Sequence, residues 1–175
     1  MRVYLIGMPG SGKSTLGKKL AEAMQYAFVD LDTEIESSEG KSIPDIFEHD
    51  GEDYFRKIEK YILQKTTPDN TIIATGGGAP CFYDNMDFIN NNGVSIFIDT
   101  PVKELASRVM KQIGDRPLLD GIENLEDMTR LLAGKREKRI GFYEQADIVL
   151  EDDQEIDITS LVQQVYNFDK QTAQE

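Results

Sequence analysis

The sequence predicts a three-layer α/β fold, a parallel sheet with helices on both faces. Three observations carry that expectation. Short β-rich apolar runs alternate with amphipathic helical segments along the 175 residues. The run Thr71 to Thr75 is continuously apolar rather than alternating, as in a central strand buried on both faces. The first run, Arg2 to Ile6, leads into a glycine-rich loop that opens a helix.

The elements follow in order. Arg2 to Ile6 reads as a strand and Lys13 to Met24 as a helix, with Leu16, Leu20, Ala23 and Met24 at helical spacing. Ala27 to Leu31 is a second strand. Thr33 with Glu36 three residues on is a capping-box pattern opening a short helix that Gly40 ends, and Ser42 caps another, interrupted near Gly51. From Glu52 to Lys65, Phe55, Ile58, Tyr61 and Ile62 recur every three or four residues, which places Arg56 and Glu59 off the core stripe. Thr71 to Thr75 and Val94 to Ile98 are strands, Val102 to Ile113 a helix, and Gly114 to Asn124 a polar loop containing Arg116. Leu125 to Tyr143 is a long helix that Gly134 weakens, Asp147 to Leu150 a last strand, and Ile158, Leu161, Val162 and Val165 mark a final helix. Lys170 to Glu175 has no feature that would order it.

Length and composition fit one domain over 1–175 with a single core. A net charge of −13 argues against nucleic-acid or anionic-membrane partners, which demand a basic face. No apolar run approaches the ~20 residues of a membrane span, so the expectation is a soluble, cytoplasmic protein. The one cysteine, Cys81, excludes an intrachain disulfide and a Cys-rich zinc site, and reads as a buried or half-buried thiol. The one histidine, His49, reads as a solvated helix residue.

Gly7 to Ser14, GMPGSGKS, satisfies G-x-x-x-x-G-K-[ST] between a strand and a helix. Its glycines let backbone N–H groups converge on phosphate, and the helix N-terminus adds partial positive charge. Gly10, Ser11, Gly12, Lys13, Ser14 and Thr15 are therefore the expected ATP-binding residues, with Lys13 on the β- and γ-phosphates and the Ser14 hydroxyl on Mg²⁺. The N-K-x-D pattern of guanine-nucleotide proteins is absent, and a chain this short with a second set of polar residues fits a small-molecule kinase.

That second set starts with Asp30 and Asp32 at the end of the second strand, which either approach the phosphate site or cap the following helix. Arg56 and Glu59, three apart on one helix, form either a surface ion pair or a carboxylate-oriented guanidinium. Gly76, Gly77 and Gly78 follow a strand and suit either a plain turn or close approach of a ligand.

Taken together, GMPGSGKSTLGKKLA, DLDTEIE, SIPDIFEHDGEDYFRKIE, ATGGG, RPLL and RIGFYEQAD resemble the shikimate kinase family over nearly the whole chain. The resemblance implies a five-stranded P-loop sheet in the order 2-3-1-4-5, a lid over about 111–124, a monomer, and phosphorylation of the 3-hydroxyl of shikimate by MgATP, giving ADP. It implies that Asp32 contacts the ring hydroxyls and is the candidate base, that Asp30 lies near the metal through water, and that Arg56 and Arg139 grip the shikimate carboxylate. Gly78, with Gly76 and Gly77, would contact the substrate, and Arg116 would be the lid arginine that reaches the ATP phosphates, catalytic together with Lys13 and Asp32.

Two departures accompany the resemblance. Gly141 stands where the family usually has proline, and Arg136 is a rival to Arg139 for the second carboxylate arginine. The family's adenine-side arginine near the C-terminus has no counterpart beside Glu151, Asp152 and Asp153. The competing readings are a gluconate or adenylate kinase of the same fold, or an ATP-sensing protein that transfers nothing.

Overall fold

A computed structural model describes residues 1–66, 68–113, 122, 124–151 and 156–172. Five strands, β1 (Arg2–Ile6), β2 (Ala27–Asp30), β3 (Thr71–Ala74), β4 (Val94–Asp99) and β5 (Ile148–Glu151), form one sheet in the order β2-β3-β1-β4-β5. All four pairings are parallel, with Arg2 opposite Thr71 and Val3 opposite Val94. The predicted class and strand order are those observed.

Parallel neighbours need crossovers, and helices cover both faces of the sheet. On one face Val3 and Leu5 of β1 pack with Leu16, Leu20, Ala21 and Met24 of α1 (Lys13–Met24) and with Leu161 and Val165 of α8 (Ile158–Thr172). The alternate residues Tyr4 and Ile6 face the larger cluster built by α2 (Leu31–Glu39), α3 (Ile43–His49), α4 (Glu52–Lys65), α5 (Asn85–Asn92), α6 (Val102–Ile113) and α7 (Leu125–Tyr143). Val3 to Ile6 have no exposed surface, and full burial of each aliphatic side chain contributes ~1.5–3 kcal/mol.

Several elements depart from expectation for local reasons. The helix after β2 begins at Leu31, because Asp30 rather than Thr33 caps it, accepting from the Asp32 backbone N–H. Arg56 and Glu59 are buried, not on a solvated face, because they point into the space behind the Gly76–Gly78 turn. α5 was not expected; its run NMDFINNN is mostly polar, with Met86 and Ile89 carrying the buried side. α7 continues through Gly134, and α8 reaches Thr172, past the start of the expected unordered tail. Most of the expected lid, Arg116 included, lies outside the described residues, as do 173–175 of the tail. Among the described residues no helix is long and apolar enough to cross a membrane.

Candidate active site

The phosphate loop joins the end of β1 to α1 at the carboxyl edge of the sheet, where open α/β sheets bind ligands. Gly10 (φ 81°) and Gly12 (φ 89°) adopt left-handed backbone that a side chain would strain, and Gly12 is the N-cap of α1. Lys13 is only 9% exposed and lies back along the loop, its Nζ donating to the carbonyls of Gly7 and Met8 at 3.0 and 2.9 Å. Burial lowers its pKa to about 8 against the pull of Asp32 and Asp30. An ammonium this desolvated gains strongly from an anion placed beside it.

Ser14 donates its hydroxyl to Asp30 Oδ2 at 2.6 Å, and Asp30 Oδ1 accepts the Asp32 N–H at 3.2 Å. Asp30 thus does both things considered for it, capping α2 and meeting the loop. A hydroxyl and a carboxylate side by side next to the loop are the hard oxygen donors that Mg²⁺ takes. A cleft of about 880 Å³ runs along this edge, lined by the loop, Asp30, Asp32, Thr75 and Gly77, with Arg108, Ile156 and Ile158 further along.

The Asp32 carboxylate reaches the strand-end glycines. A Cβ on Gly76 would lie 2.9 Å from Asp32 Oδ1 and 2.7 Å from Glu59 Oε1, so both carboxylates close on the space that the missing side chain leaves. Burial, then the neighbouring Asp30, raises the Asp32 pKa, while Lys13 and Arg56 oppose the rise. A carboxyl shifted upward in a cleft is suited to accept a proton.

Two carboxylates hold the edges of the Arg56 guanidinium. Its Nη1 donates to Glu59 Oε2 at 2.8 Å, and its Nε and Nη2 donate to Glu52 Oε1 at 3.2 and 3.1 Å. Glu59 has no exposed surface, and its Oε1 has no hydrogen-bond partner among the described residues. Burial raises its carboxyl pKa despite the arginine. The orienting role foreseen for Glu59 is therefore realised in a buried pair; Glu52, four residues before Arg56, was missed although its i, i+4 spacing signals it.

Arg139 on α7 points to the same place. Its Nη1 lies 4.0 Å from Met8 Sδ, and its charge acts on Lys13, Glu59 and Cys81. Arg136, one turn earlier, donates from Nη2 to both oxygens of Asp99 and is committed to the end of β4. Fully buried Tyr143 donates its hydroxyl to the Gly77 carbonyl and touches Met8, linking α7, the phosphate loop and the glycine turn. Cys81 is half-buried beside the two arginines, and burial pushes its thiol up to about 11. His49 is exposed, as expected.

The described residues thus bring Lys13, Ser14, Asp30, Asp32, Arg56, Gly76, Gly77, Gly78 and Arg139 to one edge of the sheet. A family model described as shikimate kinase matches residues 9–169. The chain belongs to the shikimate kinase family. Shikimate kinase from Parabacteroides distasonis is 40% identical over 151 residues, covering 86% of this chain and 87% of that protein. The one from Persephonella marina is 44% identical over 147 residues, 83% of this chain and 85% of that protein. Among solved structures, shikimate kinase from Bacteroides thetaiotaomicron superposes with a TM-score of 0.84 at 36% identity, over 97% of this chain and 98% of the other. Shikimate kinase from Acinetobacter baumannii in complex with shikimate gives 0.80 at 35% identity, over 98% and 93%. A gluconokinase from Sinorhizobium meliloti, at 16% identity and a TM-score of 0.54, shares the fold alone. As a shikimate kinase family member the chain is an ATP-dependent kinase.

Proposed function

We propose that this kinase transfers the γ-phosphoryl group of MgATP to the 3-hydroxyl of shikimate, giving shikimate 3-phosphate and ADP. The observation that carries the reading is Asp32: its carboxylate lines the phosphate-loop cleft, meets Glu59, the partner of Arg56, over the bare Gly76 backbone, and feels the charges of both Lys13 and Arg56. An acceptor whose hydroxyl meets Asp32 and whose carboxylate meets Arg56 fits that spacing.

Lys13 and the α1 N-terminus neutralise charge on the β- and γ-phosphates as the γ-phosphorus–bridging-oxygen bond breaks. Asp32 receives the hydroxyl proton as the new oxygen–phosphorus bond forms. Arg56 and Arg139 hold the planar carboxylate in guanidinium forks, and the Gly78 backbone lies beside the ring. Ser14 would hold Mg²⁺ directly and Asp30 through water; the ion supplies charge neutralisation on the phosphate oxygens. Arg116, on the resemblance alone, adds a further cation at the phosphates. We take the active protein to be a cytoplasmic monomer.

The test is an ADP-release assay across shikimate, quinate, gluconate and AMP. Release dependent on shikimate supports the reading. Release driven by gluconate or AMP, or indifferent to all four, overturns it.

A further inference from the structure

Arg56 presents a problem of orientation that its ion pairs do not solve. Of its five N–H donors, three go to Glu52 and Glu59, leaving one on Nη1 and one on Nη2. A carboxylate accepts these two together only if the guanidinium plane is held at the right tilt. Glu59 is buried, but Glu52 is 56% exposed, and both contacts lie at the edges of the guanidinium, so they alone do not set the tilt of its plane.

Phe82 supplies the missing restraint. Its ring centroid lies 4.2 Å from Arg56 Cζ, nearer than Phe55 at 5.0 Å or Phe47 at 6.0 Å. The Gly78 backbone closes on the same group, since a Cβ there would lie 2.6 to 2.8 Å from Nη1, Nη2 and Cζ. Phe82 itself is set by the 3-10 turn Ala79–Cys81, in which Cys81 N–H donates to the Gly78 carbonyl at 2.9 Å. Fully buried Asn85 anchors both ends of that turn, its side chain donating to the Ala79 carbonyl and its backbone N–H to the Phe82 carbonyl, at 2.8 and 3.0 Å.

We propose that Phe82 is a positioning residue for acceptor recognition, stacking on Arg56 so that its two remaining N–H groups meet a carboxylate as a pair. The proposal rests on the reading that Arg56 grips the acceptor carboxylate. Phe82 acts through the guanidinium, by the attraction of a cation to an aromatic face, and not on the substrate.

Steady-state kinetics of Phe82→Leu and Phe82→Tyr, alone and with Arg56→Ala, test this. Phe82→Leu raises the KM for shikimate about three- to tenfold, the KM for ATP stays constant, and Phe82→Tyr, which keeps the ring, restores the wild-type value. In the Arg56→Ala background Phe82→Leu has no further effect on the shikimate KM. If Phe82→Leu does not fold, Phe82→Met, also without a ring, replaces it under the same criteria. An unchanged shikimate KM, failure of tyrosine to restore it, or an equal penalty without Arg56 overturns the proposal. A wild-type protein inactive with shikimate overturns the underlying reading instead, and is recognised before any variant is compared.

Discussion

Arg136 donates from Nη2 to both carboxylate oxygens of Asp99, at 2.8 and 3.0 Å, and so ties the middle of α7 to the end of β4. The pair restrains the rotation of α7, on which Arg139 faces Met8 and Tyr143 meets the glycine turn. The two arginines should therefore fail differently when removed. Calorimetric titration of shikimate in the presence of ADP should show Arg139→Ala weakening binding by roughly 30-fold or more, the cost of leaving a carboxylate partly unpaired. Arg136→Ala should leave affinity within about threefold and lower Tm by roughly 2–4 °C, as expected for loss of a partly exposed pair. A larger affinity loss for Arg136→Ala would assign the carboxylate to the wrong arginine.

Lys13 sets an alkaline limit. Its pKa is lowered to about 8, so in the free enzyme it is charged below that pH and neutral above it. Because kcat/KM reports the free enzyme, kcat/KM for ATP should fall as pH rises through about 8. In the residual activity of Lys13→Arg that limb should be absent, since arginine does not lose its proton. Lys13→Ala should fold and lose phosphoryl transfer by about 10²- to 10³-fold. A profile flat from pH 7 to 9.5 in the wild type would remove Lys13 from the titrating step.

Gly78→Ala places a methyl group 2.6 to 2.8 Å from the Arg56 guanidinium, which must move off its stacked position. Shikimate KM should rise roughly ten- to a hundredfold, the usual effect of a misplacement near 1 Å, with ADP affinity unchanged by equilibrium titration. Unchanged KM would mean that Arg56 does not need its present position.

Asp32→Asn should separate stability from turnover. The Asp32 pKa is raised, so folding disfavours its charged form, and the penalty is present at neutral pH and disappears as the group is protonated. Asparagine avoids the penalty and should raise Tm at pH 7 while lowering kcat by about 10²- to 10⁴-fold. A variant less stable at pH 7 and equally active would contradict both halves.

Much of this was legible in the amino-acid order, and the exceptions have physical causes. The bounds of β1, α1, α4, α6 and α7 match the reading, because α1, α4 and α6 carry an apolar helical period, β1 is a short apolar run, and all five are flanked by glycine, proline or polar residues. The phosphate loop was legible because its chemistry constrains eight consecutive positions. The start of α2 was misread: Thr33 with Glu36 has the capping-box pattern, but Asp30 already satisfies the first turn. α5 was missed because only part of NMDFINNN is apolar.

The buried state of Arg56 and Glu59 could not be read at all. Helical period classifies charged residues as solvated, and only the tertiary meeting with Gly76 and Gly78 shows that their charges serve the interior. The same applies to Phe82, whose partner Arg56 lies on α4, distant in sequence. Arg136 and Arg139 differ by a single turn, and the choice between their placements rests on Asp99, a residue at the end of a strand distant in sequence.

The central place of β1 in the sheet also has a consequence in time. Its neighbours are β3 and β4, and Arg2 meets Thr71 and Val3 meets Val94. The apolar run RVYLI is thus translated about 70 residues before its first partner, roughly 4 to 14 s at ~5–20 residues per second. During that interval neither edge of β1 is paired, and the chain on the ribosome carries an adhesive segment with no native place to go. The strand that anchors the phosphate loop is therefore the one for which a nascent-chain chaperone has most to shield.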